Sequence, residues 1–405
     1  MKRSSLRIET IPLLHDNHSH AALYAAMASC PDIAALDAGP ALSFLESLPA
    51  DRLSVVRGWR TNELPLDQGE LGALPPLLLI NFSLHGFALS DAALPIVSGL
   101  VPDLAANRDD PDWREANVPR LFDAYCGLSG LDGAKLASFL DGLKPLGIGS
   151  SEDMTLPNAQ AARAILDAGL KERIAFWAAP GVYRTLDAEC RAACSGVKLF
   201  LDGSIGARTA AIRGPWLGGG AGILTYSDDT LLAELENIAS WKTGLSVHAI
   251  GELAIDQALS SLACARANGA SWPLVRLEHV QLISRDQAFR ARDMGLVLSM
   301  QPNFTSDSTD YADRLPKASL EGNNPFRMLI DQAGFRPGKD LIFGSDGMPH
   351  GIANPASLSL FPPYPGQLLS LEELVTGYGP ARGVSGSVSL EIDEAAGSAR
   401  VLASG

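Results

Sequence analysis

One pattern recurs along this 405-residue chain: a β-rich apolar run that ends in polar residues or glycine, followed by a stretch with helical spacing. It occurs eight times, at 11–20 (IPLLHDNHSH), 146–154 (LGIGSSEDM), 173–180 (RIAFWAAP), 196–203 (GVKLFLDG), 244–251 (GLSVHAIG), 274–282 (LVRLEHVQL), 295–302 (GLVLSMQP) and 341–348 (LIFGSDGM). The helical partners include 254–269 (AIDQALSSLACARANG) and 284–295 (SRDQAFRARDMG), the second opening with Ser284 as N-cap. Eight strand–helix units close a parallel sheet on itself, so the expected fold class is α/β, a (β/α)8 TIM-type barrel.

The first interval is far longer than one helix needs, so residues 21–143 are expected to hold an inserted α/β cap subdomain. Its strand candidates are 53–57 (LSVVR) and 76–82 (PLLLINF). Residues 12–20 and 144–375 then form the barrel. The ends, 1–11 and 376–405, alternate apolar and polar residues and are expected to pair as a reduced terminal β-sheet. The glycine-rich stretch 218–222 reads as a loop after the fourth strand, and no internal repeat or low-complexity tract is visible.

A net charge of −14, with no basic cluster beyond Met1-Lys2-Arg3, excludes a nucleic-acid or anionic-membrane binder working through a basic face. No apolar run is long enough to span a bilayer. Lys2 and Arg3 resemble the start of a secretion signal, but Glu9 and Pro12 interrupt the apolar run that would have to follow. Five cysteines without C-x-x-C spacing argue against a disulfide framework and a thiolate zinc site, and the expected compartment is the reducing cytoplasm.

His18 and His20 are two apart on an expected strand, so both leave the same face and can share one metal ion. With 7 histidines in the chain, chance produces such a pair in about one shuffled sequence in eight, so the wider set carries the weight. His248 and His279 end the fifth and sixth strands, Asp346 ends the eighth, and Lys198 lies in the fourth. Barrel active sites gather at that rim. The bland alternatives are solvated histidines, a Lys198 turned to solvent or paired with Asp202, and Asp346 as the turn residue of Ser-Asp-Gly.

In order along the chain, DNHSH, GVKLFLDGSIGARTAA, GLSVHAIGELAIDQAL, RLEHVQLISRDQ, SMQPNFTSD and FGSDGMP resemble the motifs of the metal-dependent amidohydrolase superfamily, in the branch that contains N-substituted formamide deformylase. The resemblance runs from His18 to about Pro349. It implies His18 and His20 on one metal, His248 and His279 on a second, Lys198 as a bridge, and Asp346 as ligand and proton carrier. A lysine ammonium beside two divalent cations is unfavourable by about 4 kcal/mol per unit-charge pair at 4 Å and an effective dielectric of 20, so Lys198 must be neutral, distant or modified. The resemblance implies carbamylation, which turns it into an anionic two-oxygen bridge.

The expected activity is hydrolysis of an amide-like C–N bond of a small molecule by a metal-bound hydroxide, with two divalent ions. Zinc is the first choice and iron or manganese the alternatives. His85 (where relatives also carry a histidine), Trp59 as an aromatic wall and Arg208 as an anion clamp are the substrate-contact candidates. Relatives carry a β-sandwich that must here be reduced to a few strands, and often an aspartate where this chain has Glu252. Two other readings stand beside this one: a mononuclear deaminase with Glu252 as proton shuttle, and a catalytically silent barrel that binds a ligand. A homodimer is the expected assembly, from the exposed apolar helices of such barrels.

Overall fold

The computed structural model describes residues 6–402 except Asn62, Ser83 and His85. Two compact units emerge: the segments up to Tyr24 and from Asp132 onward form one, and Ala25–Leu131 the other.

In the first unit the chain enters through β1 (Leu6–Pro12) and β2 (Leu14–Ser19). The apolar run at 11–20 is therefore split. Pro12 has no amide to give a ladder, Leu13 donates to Gly386 O at 2.9 Å, and the barrel strand starts at Leu14. The inserted unit contains β3 (Ser54–Trp59), β4 (Leu77–Asn81) and β5 (Phe87–Leu89). β3 and β4 are parallel, β4 and β5 antiparallel, and Ile33, Leu45, Val56, Leu77 and Leu79 form their shared core. β5 has three residues, too few for alternation to announce it.

The chain then runs through β6 (Ile148–Leu156), β7 (Ile174–Ala178), β8 (Gly196–Phe200), β9 (Gly244–Ala249), β10 (Val275–His279), β11 (Val297–Met300) and β12 (Leu341–Phe343). With β2 these make one parallel sheet in the order β12-β11-β10-β9-β8-β7-β6-β2. The fold is an eight-stranded (β/α)8 TIM-type barrel with extra sheets. Hydrogen bonds tie its two end strands together: Asn17 Nδ2 donates to Phe343 O at 2.9 Å, and the backbone N–H of Asp346 donates to His18 O at 2.7 Å.

Helices between the strands start on side-chain caps, Asn158 for Ala159–Asp167, Ser227 for Asp228–Ser240 and Ser284 for Arg285–Asp293. Ser284 also forms a capping box with Gln287. The insertion is narrower than 21–143, because the helix Gly133–Leu143 belongs to the barrel unit and packs on β6. It buries Leu136, Leu140 and Leu143, an apolar stripe that would look the same in either unit.

β13 (Ser387–Asp393) pairs antiparallel with β1 and with β14 (Ser398–Leu402) in a separate three-stranded sheet. Val388, Leu390 and Ile392 are its buried row. The 218–222 stretch contains no helix or strand, and Gly218, Gly219 and Gly220 hold φ of 88°, 93° and 92° that only glycine adopts easily. Among the described residues no helix is long and apolar enough to cross a membrane, and none of the five cysteines forms a disulfide.

Candidate metal centre

Each barrel strand except β6 ends before its apolar run does, and the candidate ligands lie in the last residues of those strands or just past them. His18 lies in β2 and His20 one residue past it. His20 Nε2 is 3.1 Å, and His18 Nε2 3.6 Å, from the same Asp346 Oδ1. Each of the three offers a ligand atom within 4.8 Å of the others. The rings continue inward: His18 and His279 have centroids 4.6 Å apart, His279 and His248 4.5 Å. Four imidazoles from three strands are thus contiguous, all at most 6% exposed. His279 and Asp346 hold φ of 68° and 56°, left-handed conformations that turn the chain sharply off β10 and away from β12.

Lys198 stands in β8, level with Ser246 and, one strand further, Arg276. It is 1% exposed, so it does not turn to solvent, and its Nζ has no hydrogen-bond partner among the described residues. The alternative partner, Asp202, is committed elsewhere: it accepts from the backbone N–H groups of Ile250 (3.0 Å), Gly251 (2.8 Å) and Ala211 (3.0 Å). Burial, against the pull of Glu278 and Asp346, brings the Lys198 ammonium down to about 8.

The hydrogen bonds around the rings select their tautomers. Gly203 O can only accept, so His248 keeps its proton on Nε2 at 3.1 Å and leaves Nδ1 as a lone pair. His279 is reversed, with Nδ1 donating to Gln301 Oε1 at 2.7 Å and Nε2 bare. Burial, then the positive character of Lys198, pushes His18 down to about 4; burial, then His248 and His18, holds His279 well below its usual value. Both are neutral at physiological pH, the form that ligates a metal. Burial alone would raise Asp346, but His18, His20 and Lys198 outweigh it and hold the carboxyl near 2.

The donor set suits divalent cations: imidazole nitrogens, a carboxylate and a buried amine. Asp16 braces the frame. Its Oδ1 accepts from His18 N at 3.2 Å and Ser345 N at 2.8 Å, and its Oδ2 from Ser345 Oγ at 2.5 Å, which joins β2 to the turn that carries Asp346.

Arg208 is half-exposed and pairs with Asp313 at 3.8 Å. Trp59 is part of the inserted unit, where its Nε1 donates to Leu64 O at 2.9 Å and its ring packs on the aliphatic core. His85 lies outside the described residues. Glu252 opens the helix Glu252–Ala267 and accepts from Arg213 N at 3.1 Å. Sequence reasoning missed Glu278, Gln301, Arg276, Glu152 and Asp16. A signal existed in RLEH, where Arg276 and Glu278 share one parity of a strand otherwise made of Val275, Leu277 and His279.

A family model described as the amidohydrolase family matches residues 147–359, just over half the chain. YtcJ of Bacillus subtilis (strain 168) is 29% identical over 139 residues, 34% of this chain and 26% of that protein. The protein LONG AFTER FAR-RED 3 of Arabidopsis thaliana is 34% identical over 119 residues, 28% of this chain and 20% of that protein. The chain thus spans about a quarter and a fifth of these two relatives. An uncharacterized metal-dependent hydrolase from Pyrococcus furiosus superposes with a TM-score of 0.64 at 20% identity, covering 91% of this chain and 81% of that one. A second, from Pyrococcus horikoshii OT3, gives 0.63 at 21% identity and covers 91% and 78%. At those identities the likeness establishes the fold.

Proposed function

The chain belongs to the amidohydrolase family, and we propose that it is a binuclear enzyme that hydrolyses an amide-like C–N bond of a small, non-peptide molecule. Family membership carries metal-dependent hydrolysis of C–N bonds; the number of ions, zinc as their identity, and the substrate are our reading. His18, His20 and Asp346 would hold one cation and His248 and His279 the other, with Lys198 between them. The observation that carries the reading is the Lys198 amine, buried without a hydrogen-bond partner among the described residues and within electrostatic reach of His18, His279 and Asp346. A neutral Nζ adds to carbon dioxide with formation of an N–C bond and loss of one proton, and the resulting carbamate is an anion with two ligand oxygens.

Divalent cations bound there lower the pKa of water towards neutrality and polarise a carbonyl oxygen. Asp346, ionised at neutral pH, takes the proton that water gives up as its oxygen adds to the carbonyl carbon. It returns that proton to the nitrogen as the C–N bond breaks, so the amine departs neutral. Among substrates, N-substituted formamides are our first choice, on the strength of the motif series from DNHSH to FGSDGMP. His85 and Trp59 of the inserted unit and Arg208 remain the proposed substrate contacts.

Metal analysis of the purified chain tests the centre: two equivalents support it, one points to a mononuclear enzyme, and none refutes it. Asp346→Asn is expected to lower kcat by about 10²–10⁴. Unchanged turnover in that variant would remove Asp346 from the chemistry. A screen of formamides, N-acyl amino acids, hydantoin-like rings and lactones then separates the substrate classes.

A further inference from the structure

His18 is the ring that meets a carboxylate through Nδ1. His248 Nε2 has Gly203 O at 3.1 Å and Asp202 Oδ1 at 3.3 Å, and His279 Nδ1 has the amide oxygen of Gln301 at 2.7 Å. His18 Nδ1 lies 2.6 Å from Oε2 of Glu278, a carboxylate with 0% exposure. Its other oxygen, Oε1, accepts from Arg276 Nε and Ser246 Oγ, both at 2.8 Å. Arg276, 2% exposed, reaches on to Glu152 Oε2 at 2.5 Å, Asn17 O at 2.8 Å and Ser299 Oγ at 3.0 Å. Glu152 is also met by Trp177 Nε1 at 2.9 Å, His15 Nε2 at 3.4 Å and Arg382 Nη1 at 3.5 Å. The barrel interior below the histidines is thus one hydrogen-bonded ion network that ends on His18.

From this arrangement we infer that Glu278 is a positioning residue that fixes the tautomer of His18. An ionised carboxylate can only accept, so the proton of His18 must sit on Nδ1 and the lone pair on Nε2, the nitrogen that faces Asp346. Arg276 and Ser246 keep the carboxylate charged and aligned, so the network delivers a prepared ligand to the first cation site. The consequence for metal rests on the proposed centre; the tautomer is a property of the chain itself.

Glu278→Gln reverses the polarity of the contact. Its amide oxygen is claimed by the donors Arg276 Nε and Ser246 Oγ, which leaves the NH2 against Nδ1. That nitrogen must then accept, and the proton moves to Nε2, where the cation needs a lone pair. Zinc competed against a chromophoric chelator is expected to bind one of its two sites about 10- to 100-fold more weakly in Glu278→Gln. Glu278→Asp, which keeps the charge, recovers most of the loss.

The second readout is metal-free. Two-bond ¹⁵N–¹H spectra of the histidine-labelled full chain should show, for the ring whose signals vanish in His18→Asn, a protonated Nδ1 and a bare Nε2. Glu278→Gln should invert that pattern. If Glu278→Gln does not accumulate as folded protein, the wild-type spectrum decides alone: a proton on Nε2 overturns the inference. Unchanged zinc affinity in a folded Glu278→Gln overturns it as well. Absence of zinc uptake by wild type would overturn the metal centre instead, and the spectra would still support or overturn the tautomer.

Discussion

The two compact units bury opposite chemistry. The core of the inserted unit is aliphatic, built from Ile33, Leu45, Val56, Leu77 and Leu79. The barrel interior below its rim holds His15, Asp16, Glu152, Arg276 and Glu278, all at most 6% exposed. An apolar core loses stability in proportion to the methylenes removed, because each contact is small and local. A buried ion network behaves differently: every member depends on the others for charge compensation, so one deletion strands several groups. The barrel keeps this costly interior beneath its candidate metal ligands, while the core of the inserted unit is apolar.

The sharpest way to break the contrast is Arg276→Met, which removes the buried guanidinium that Glu152 and Glu278 share. It is expected to cost about 3–5 kcal/mol in urea-unfolding experiments. A variant as stable as the parent would mean that the network is dispensable. Acid attacks the same place next. Burial would raise Glu152, but Arg276 and His15 outweigh it and hold the carboxyl near 2 instead of 4.5. Its folded-state pKa is depressed, so the stability it adds is complete above the unfolded value of 4.5 and is lost as pH falls from there towards 2. The loss is about 3 kcal/mol, visible as a falling urea midpoint over that window. A flat midpoint between those limits would count against it.

In the inserted unit the expected response is gentler. Ile33→Val, at a site 4% exposed, removes one methylene and should cost about 0.5–1.5 kcal/mol with zinc stoichiometry unchanged. A change in metal content would show that the two units are not chemically separate. The smallest effect belongs to the surface: Lys317→Ala breaks a pair to Glu321 at 3.5 Å between side chains 82% and 48% exposed, and Tm should not move measurably.

Much of the fold was legible because a β/α barrel writes itself locally: eight apolar runs with polar ends, each followed by a helical repeat. The limits of the insertion were misplaced by one helix, since the stripe Leu136, Leu140 and Leu143 says that a face is buried but not in which unit. Candidate ligands could be nominated from strand ends, yet the network beneath them could not. Glu152 and Arg276 are 124 positions apart, and a charged residue in a strand ordinarily marks a solvent face. Only the closed barrel brings both to one interior.

Side-chain period, the order of the strands and the kinds of ligand available are short-range properties, carried by neighbours two to four residues apart, and the amino-acid order of this chain determines them. Which imidazole nitrogen holds the proton, and whether Lys198 meets a partner, depend on atoms from different strands a few ångströms apart. Those distances exist only once the sheet has closed, so they are decisions of the tertiary structure.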